Sequence, residues 1–171
     1  MGILSGNPVK EPMHYGEVFQ VFTYLQAAQS SKAYYQVLLN HAGDQDLKNL
    51  IEDILESKIT TEINQTQEIL KANGIALPPA PPERPHADLE SIPVGARIND
   101  PEIAMIIQAG LAANLVVCSQ AMGVSIREDI GLMFGQFHAT TLIHAGKILR
   151  LSKEKGWLVP PPLHQRIPEY V

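Results

Sequence analysis

Apolar residues recur at steps of three and four over long stretches of this chain, and proline marks where those stretches end. Of 13 prolines, none lies between Pro12 and Pro78 and none between Pro101 and Pro160. Proline lacks the N–H and clashes with the preceding turn, so two long proline-free blocks between proline clusters predict two helical hairpins. The first block predicts helices over about 14–41 and 46–73, joined by Ala42-Gly43-Asp44-Gln45. A turn that short forces the two helices antiparallel. In the second helix Leu47, Leu50, Ile51, Ile54, Leu55, Ile59, Ile63, Ile69 and Leu70 form a broad apolar stripe. Lys48, Glu52, Asp53, Glu56, Glu62, Glu68 and Lys71 are assigned to its solvated face. Asn73-Gly74-Ile75 predicts a left-handed glycine cap followed by an apolar residue.

The second block opens with Asp100-Pro101-Glu102, read as N-cap, first-turn proline and first-turn acid, and predicts a helix over about 101–122. Gly123-Val124 turns the chain, and Ser125-Ile126-Arg127-Glu128 reads as a capping box opening a helix over about 125–155. Ile130, Phe134, Phe137, Thr141, His144, Ile148 and Leu151 follow one another at steps of 4, 3, 4, 3, 4 and 3, the seam of a bundle helix. Gly156 and Trp157 end it, and a tail over 157–171 begins with Pro160-Pro161-Pro162 soon after. Residues 75–99 are proline-rich, and a polyproline segment at about 3.1 Å per residue easily spans a helix roughly 33–46 Å long. The expected fold is therefore all-α: a single ferritin-like four-helix bundle of two antiparallel hairpins joined by a long proline-rich crossover.

Length and charge narrow the function classes. The 171 residues suit one domain with a real core. Thirteen basic against 18 acidic residues give a net charge of −5, without the basic stripe that nucleic-acid binding needs. The single cysteine excludes an internal disulfide framework and fits a reducing compartment. The N-terminal segment has neither a basic region nor a long apolar run, so no signal peptide is expected, and Gly6 breaks the myristoylation pattern. Ile103 to Ile126 carries no charge, yet Gln108, Asn114, Ser119, Gln120 and Ser125 interrupt it too often for membrane insertion. The first helix is also uncharged from Val18 to Ser31, and a third helix apolar nearly all round must be enclosed or meet another subunit. A homodimer is the expected partner state.

A di-iron bundle needs inward glutamates on two helices and Glu-x-x-His on the other two. Within the predicted helices no Asp or Glu is followed three residues later by His: Glu52 leads to Leu55, Glu56 to Ile59, Glu62 to Gln65 and Glu128 to Gly131. No metal, no cofactor and no catalytic residue is therefore assigned. His144 and Thr141 sit on the apolar seam with His138 just off it, facing Asn114 or Gln108 in the ligand-site reading. The alternative is a buried imidazole satisfied by a neighbouring carbonyl, hydroxyl or water, and it is preferred because no carboxylate partner is identifiable. His41 reads as a cation at a helix C-terminus. Cys118, within Leu115-Val116-Val117-Cys118, reads as an inert buried thiol. Tyr15, Tyr24, Tyr34 and Tyr35 read as packing residues with wet hydroxyls, and Gly131 and Gly135 as sites of close helix approach.

Three segments together resemble a bacillus family of unknown function related to spore coat protein F: Gly74-Ile75-Ala76-Leu77-Pro78-Pro79, Ser125-Ile126-Arg127-Glu128-Asp129-Ile130, and Lys155-Gly156-Trp157-Leu158-Val159-Pro160-Pro161. Their order relative to the four helices extends the similarity over nearly the whole chain. The resemblance implies a ferritin-like bundle without an established metal centre, often in tandem copies, so a dimer of this chain would stand in for the tandem form. It transfers no catalytic residues; Arg127, Asp129, Gly156 and Trp157 match its motifs at helix ends, where structural roles account for them. It implies a structural or accessory spore coat protein, synthesised in the mother-cell cytoplasm and assembled with other coat proteins. A bundle binding a small ligand or metal through His144, Thr141, His138, Asn114 and Gln108 is the alternative.

Overall fold

The computed structural model describes residues 11–162 and 164, and these contain helices and no strand. The N-terminal residues 1–10 and most of the tail after Pro162, on which the leader and part of the tail reading fall, lie outside the described residues. Helix α1 spans Tyr15–His41. A second rod runs as α2 (Gln45–Asp53), a π-helical turn (Ile54–Ile59) and α3 (Thr60–Ala72). Helices α4 (Asp100–Val124) and α5 (Glu128–Glu154) complete the four rods.

Two apolar clusters, each fed by all four rods, hold them together. One gathers Leu38, Ile51, Ile54, Ile107, Leu111 and Ile148; the other gathers Val21, Leu25, Leu70, Ala121, Ile130 and Phe134. All seven residues of the α5 seam are buried. The aromatic corner of the second cluster is ordered by geometry. Tyr24 stacks on Phe137 with centroids 5.5 Å apart, and Phe134 meets Tyr24 edge-on at 5.1 Å.

The helix ends differ instructively from expectation. Asn73-Gly74-Ile75 forms the glycine cap: Gly74 has φ of 71°, and Ile75 N–H donates to Leu70 O at 2.9 Å. Gly156 repeats it, with Trp157 N–H donating to Ser152 O at 2.8 Å. The α4 N-cap, however, is Asn99, which forms a capping box with Glu102. Asp100 instead accepts the N–H groups of Gly43 (2.8 Å) and Asp44 (3.1 Å), serving the α1–α2 turn. Ser125 opens no capping box either; its hydroxyl donates backward to Ala121 O at 2.7 Å. The N–H groups of Ile126 and Arg127 go to the buried carboxylate of Glu17, both at 2.8 Å, so the cap comes from a distant helix rather than from local sequence. His41 is an acceptor and not a capping cation: its Nδ1 takes the Ile98 N–H at 3.1 Å.

The proline-rich segment lies against α1. Glu83 pairs with Lys32, Arg84 N–H donates to Gln36 at 2.8 Å, and Asn40 bonds both Pro85 O (3.0 Å) and Ala87 N–H (3.1 Å). Partners advance together along both segments, so this strap travels in the direction of α1.

Candidate functional site

Each rod carries polar side chains between the two apolar clusters or at their edge. The second rod supplies Lys58, Glu62 and Thr66, α1 supplies Tyr24 and Gln29, α4 supplies Asn114, and α5 supplies Thr141 and His144. Lys58 and Glu62 are 4% and 3% exposed, so an ammonium and a carboxylate sit in the interior. Lys58 Nζ donates to Glu62 Oε2 at 3.0 Å. The other oxygen, Oε1, lies 2.8 Å from the same nitrogen at an angle that makes no hydrogen bond. Burial pushes the Glu62 carboxyl above its ordinary range, and Lys58, with help from the nearby Tyr24 hydroxyl, opposes that rise.

Glu62 belongs to the interior, not to the solvated face expected for it. The inward stripe reads Leu47, Ile51, Ile54, Lys58, Glu62, Thr66, Leu70, with four consecutive steps of four at its end. In a uniform α-helix each step of four drifts by about 40°, which would carry Glu62 round toward solvent. The π-helical turn absorbs that drift. Thr60 supplies its defining bond, N–H to Leu55 O, and its hydroxyl donates to the same carbonyl at 2.8 Å. Single π turns inside α-helices recur at functional sites.

A second set of polar groups adjoins the ion pair through Tyr24. Thr141 shares its hydroxyl proton between Asn114 Oδ1 (2.8 Å) and Phe137 O (2.7 Å), and Asn114 Nδ2 donates to the Tyr24 hydroxyl at 3.2 Å. Cys118 Sγ lies 3.8 Å from that hydroxyl. Burial pushes the Cys118 thiol up to about 11, which keeps it protonated and unreactive at neutral pH. Burial drives the Tyr24 phenol upward too, so its hydroxyl is a buried network member and not a wet one. Tyr35 is likewise buried, whereas Tyr15 is almost fully exposed.

Of the five sequence-predicted ligand candidates, the structure brings together only Asn114 and Thr141. His144 turns away from α4 toward the second rod: Nδ1 donates to Thr140 O at 2.9 Å, and Nε2 faces Ser57 Oγ (3.2 Å) and Asp53 Oδ2 (3.3 Å). It therefore has the carboxylate neighbour that sequence spacing could not reveal. Lys147 holds the same Asp53 oxygen at 2.6 Å and keeps its carboxyl below the usual range. Gln108 donates to Ser152 at 2.6 Å, apart from the others, and the half-buried His138 joins neither network. Among the described residues, no group of three or more His, Cys, Asp or Glu is placed to hold a metal.

The motif residues at the helix ends form a lock. Arg127 is buried, grips Asp129 with two bonds (3.0 and 2.7 Å), and donates to Asn73 Oδ1 (2.8 Å) and Glu11 O (3.1 Å). One guanidinium thus ties the start of α5 to the end of α3 and to the segment before α1. Trp157 packs against the first apolar cluster.

The described residues thus define an all-helical protein whose central polar layer is largely consumed by internal pairing. The chain belongs to the DUF3231 family, described as a protein of unknown function, whose model matches residues 1–168. It is 58% identical over 164 residues to the uncharacterised protein YvdQ of Bacillus subtilis strain 168, covering 96% of each chain. A crystal structure from Bacillus halodurans C-125, provisionally described as a spore coat protein, superposes with a TM-score of 0.90 at 53% identity. That match covers 93% of this chain and 99% of the other.

Proposed function

We propose that this chain is a non-catalytic structural or accessory protein of the bacterial spore coat, synthesised in the mother-cell cytoplasm and deposited on the forespore. The observation that carries the reading is the near-complete superposition on the Bacillus halodurans protein provisionally assigned to the coat, at 53% identity over 93% of this chain. Kinship with the spore coat protein F family and a ferritin-like four-helix bundle, with the strap as its crossover, belong to the same reading. It acts through self-association and through other coat proteins, without nucleic acid and without membrane insertion. The raised Cys118 thiol and the internally paired histidine support a role without turnover. Helix α4 supports self-association. The stretch Val94–Val124 is long and apolar enough to cross a membrane by length and composition, yet only 28% of its most apolar window is buried. Gln108 and Asn114 bond to Ser152 and Thr141 of α5, which ties α4 to the other rods and leaves its outer face for a second copy.

Layer-by-layer extraction of purified spores from the encoding organism, probed with an antibody, tests the assignment. Recovery in the coat extract with none in vegetative cytosol is expected. A soluble vegetative pool with none in the spore would overturn it.

A further inference from the structure

Between Pro78 and Ala87 the strap meets the bundle at every third residue. Pro78 is buried, Pro81 and Ala87 are half-buried, and Arg84, whose side chain is exposed, gives its N–H to Gln36 of α1. The residues between these positions, Pro79, Ala80, Pro82, Glu83, Pro85 and His86, are all exposed. A period of about three residues per turn is that of polyproline II. The rise agrees. Glu83 to Ala87 is a step of four residues, about 12 Å at 3.1 Å per residue; their partners Lys32 and Asn40 are eight apart on α1, about 12 Å at 1.5 Å per residue.

Pro79, Pro82 and Pro85 therefore stand one turn apart, about 9 Å from ring to ring, as a ridge facing away from the bundle. Proline has no N–H, so the ridge is an apolar surface without a donor to satisfy. Holding a crossover in place uses the inward positions alone. The backbone is also fixed in advance, because Gln36 and Asn40 bind it at Arg84 N–H, Pro85 O and Ala87 N–H, which leaves little freedom to lose on binding. Charges near the ridge are largely matched within the chain. Lys32 pairs with Glu83, Asp88 lies 3.6 Å from His86, and Arg84 lines the cleft that Glu52 and Glu56 border on the second rod. Preformed polyproline II segments are the ligands that aromatic-lined grooves read.

We propose that the Pro79–Pro82–Pro85 ridge is a docking surface for another protein that carries a shallow, aromatic-lined groove. This rests on the reading that the chain acts through other proteins, and it defines what such a partner must offer. The groove must be shallow because α1 occupies the inward side of the strap. Profilin, whose aromatic groove reads poly-L-proline, is the probe. Isotope-labelled profilin titrated with the full chain should show saturable shifts at its groove residues, reversed by added poly-L-proline. Pro82→Ser removes one apolar ring and should bind at least about tenfold more weakly. Its thermal midpoint should stay within a few degrees of the parent's, since the bonds to Gln36 and Asn40 involve other residues. Val94→Ser removes another exposed apolar side chain of the strap and should bind as the parent does. The titration reports recognition whatever the spore fractions contain, so the two assignments fail separately. The proposal fails if the full chain leaves profilin unshifted, if the shifts fall outside the groove, if folded Pro82→Ser matches the parent, or if Val94→Ser weakens binding as much as Pro82→Ser does.

Discussion

Lys58 and Glu62 show how strongly context sets the worth of a residue. Removing one partner alone leaves a charge in the interior, so Glu62→Ala should cost about 3–5 kcal/mol in urea denaturation. Replacing both, as Lys58→Met with Glu62→Leu, removes the desolvation penalty along with the pair. The double variant should be no less stable than the parent, and up to about 4 kcal/mol more so. Such a result would mean that the pair is retained for something other than stability. Asp44 tests a carboxylate of the opposite kind. The hydrogen bond from Lys155 holds its carboxyl below the usual range, with help from the N–H groups of Leu47 and Asp46. Its folded pKa lies below the unfolded one, so its contribution is complete above about pH 4 and is lost as pH falls through the folded value. Asp44→Asn keeps an equally good N-cap while removing the charge. Thermal midpoints measured between neutral and acid pH should therefore fall less steeply in the variant at the acid end.

At the scale of elements, the two left-handed glycine caps were legible in advance because their signal is local. Gly74→Ala and Gly156→Ala force a side chain into φ near 71°, and each should cost about 1 kcal/mol by denaturant midpoint. The α5 seam was legible for the same reason, since its 4-3 spacing needs no knowledge of neighbours. What escaped the sequence depends on partners far along the chain. The start of α5 is capped by Glu17, more than a hundred residues away, and Asp100 serves a turn formed by Gly43 and Asp44. The interior position of Glu62 escaped because a uniform helical period was assumed where a π turn intervenes. A run of 4-4-4 steps through Lys58, Glu62, Thr66 and Leu70 was the available signal. Of the candidate site, Asn114 was anticipated, while Lys58 and Glu62 were not. Arg127 matched a motif, and its role emerges only from the three segments it joins. Arg127→Lys keeps the charge but loses the two-pronged grip on Asp129, and should cost roughly 1–3 kcal/mol by the same measurement.

The whole molecule leaves one helix unfinished. Met105, Ala109, Ala112, Val116, Ser119 and Gly123 are all exposed and stand at steps of 4, 3, 4, 3 and 4 along α4, a second seam pointing away from the core. No charge interrupts it, and its small residues would let another helix approach closely. At 25 residues, α4 is about 37 Å long and about 10 Å wide, roughly half of the ~800 Å² per partner that a standard interface uses. Exposed Leu142 and Ile143 on the adjoining α5 extend the apolar area toward that requirement. On area and chemistry we propose a symmetric dimer through α4, and light scattering after size exclusion should then give twice the mass of one chain. Val116, 68% exposed in the single chain, would then be buried at the centre. Val116→Lys would place an unpaired charge there, at about 3 kcal/mol, or roughly a hundredfold in the dissociation constant. The variant should elute as a monomer with an unchanged helical circular dichroism spectrum. A parent that is monomeric at high concentration, or a Val116→Lys dimer as tight as the parent, would mean that α4 is not the self-association face.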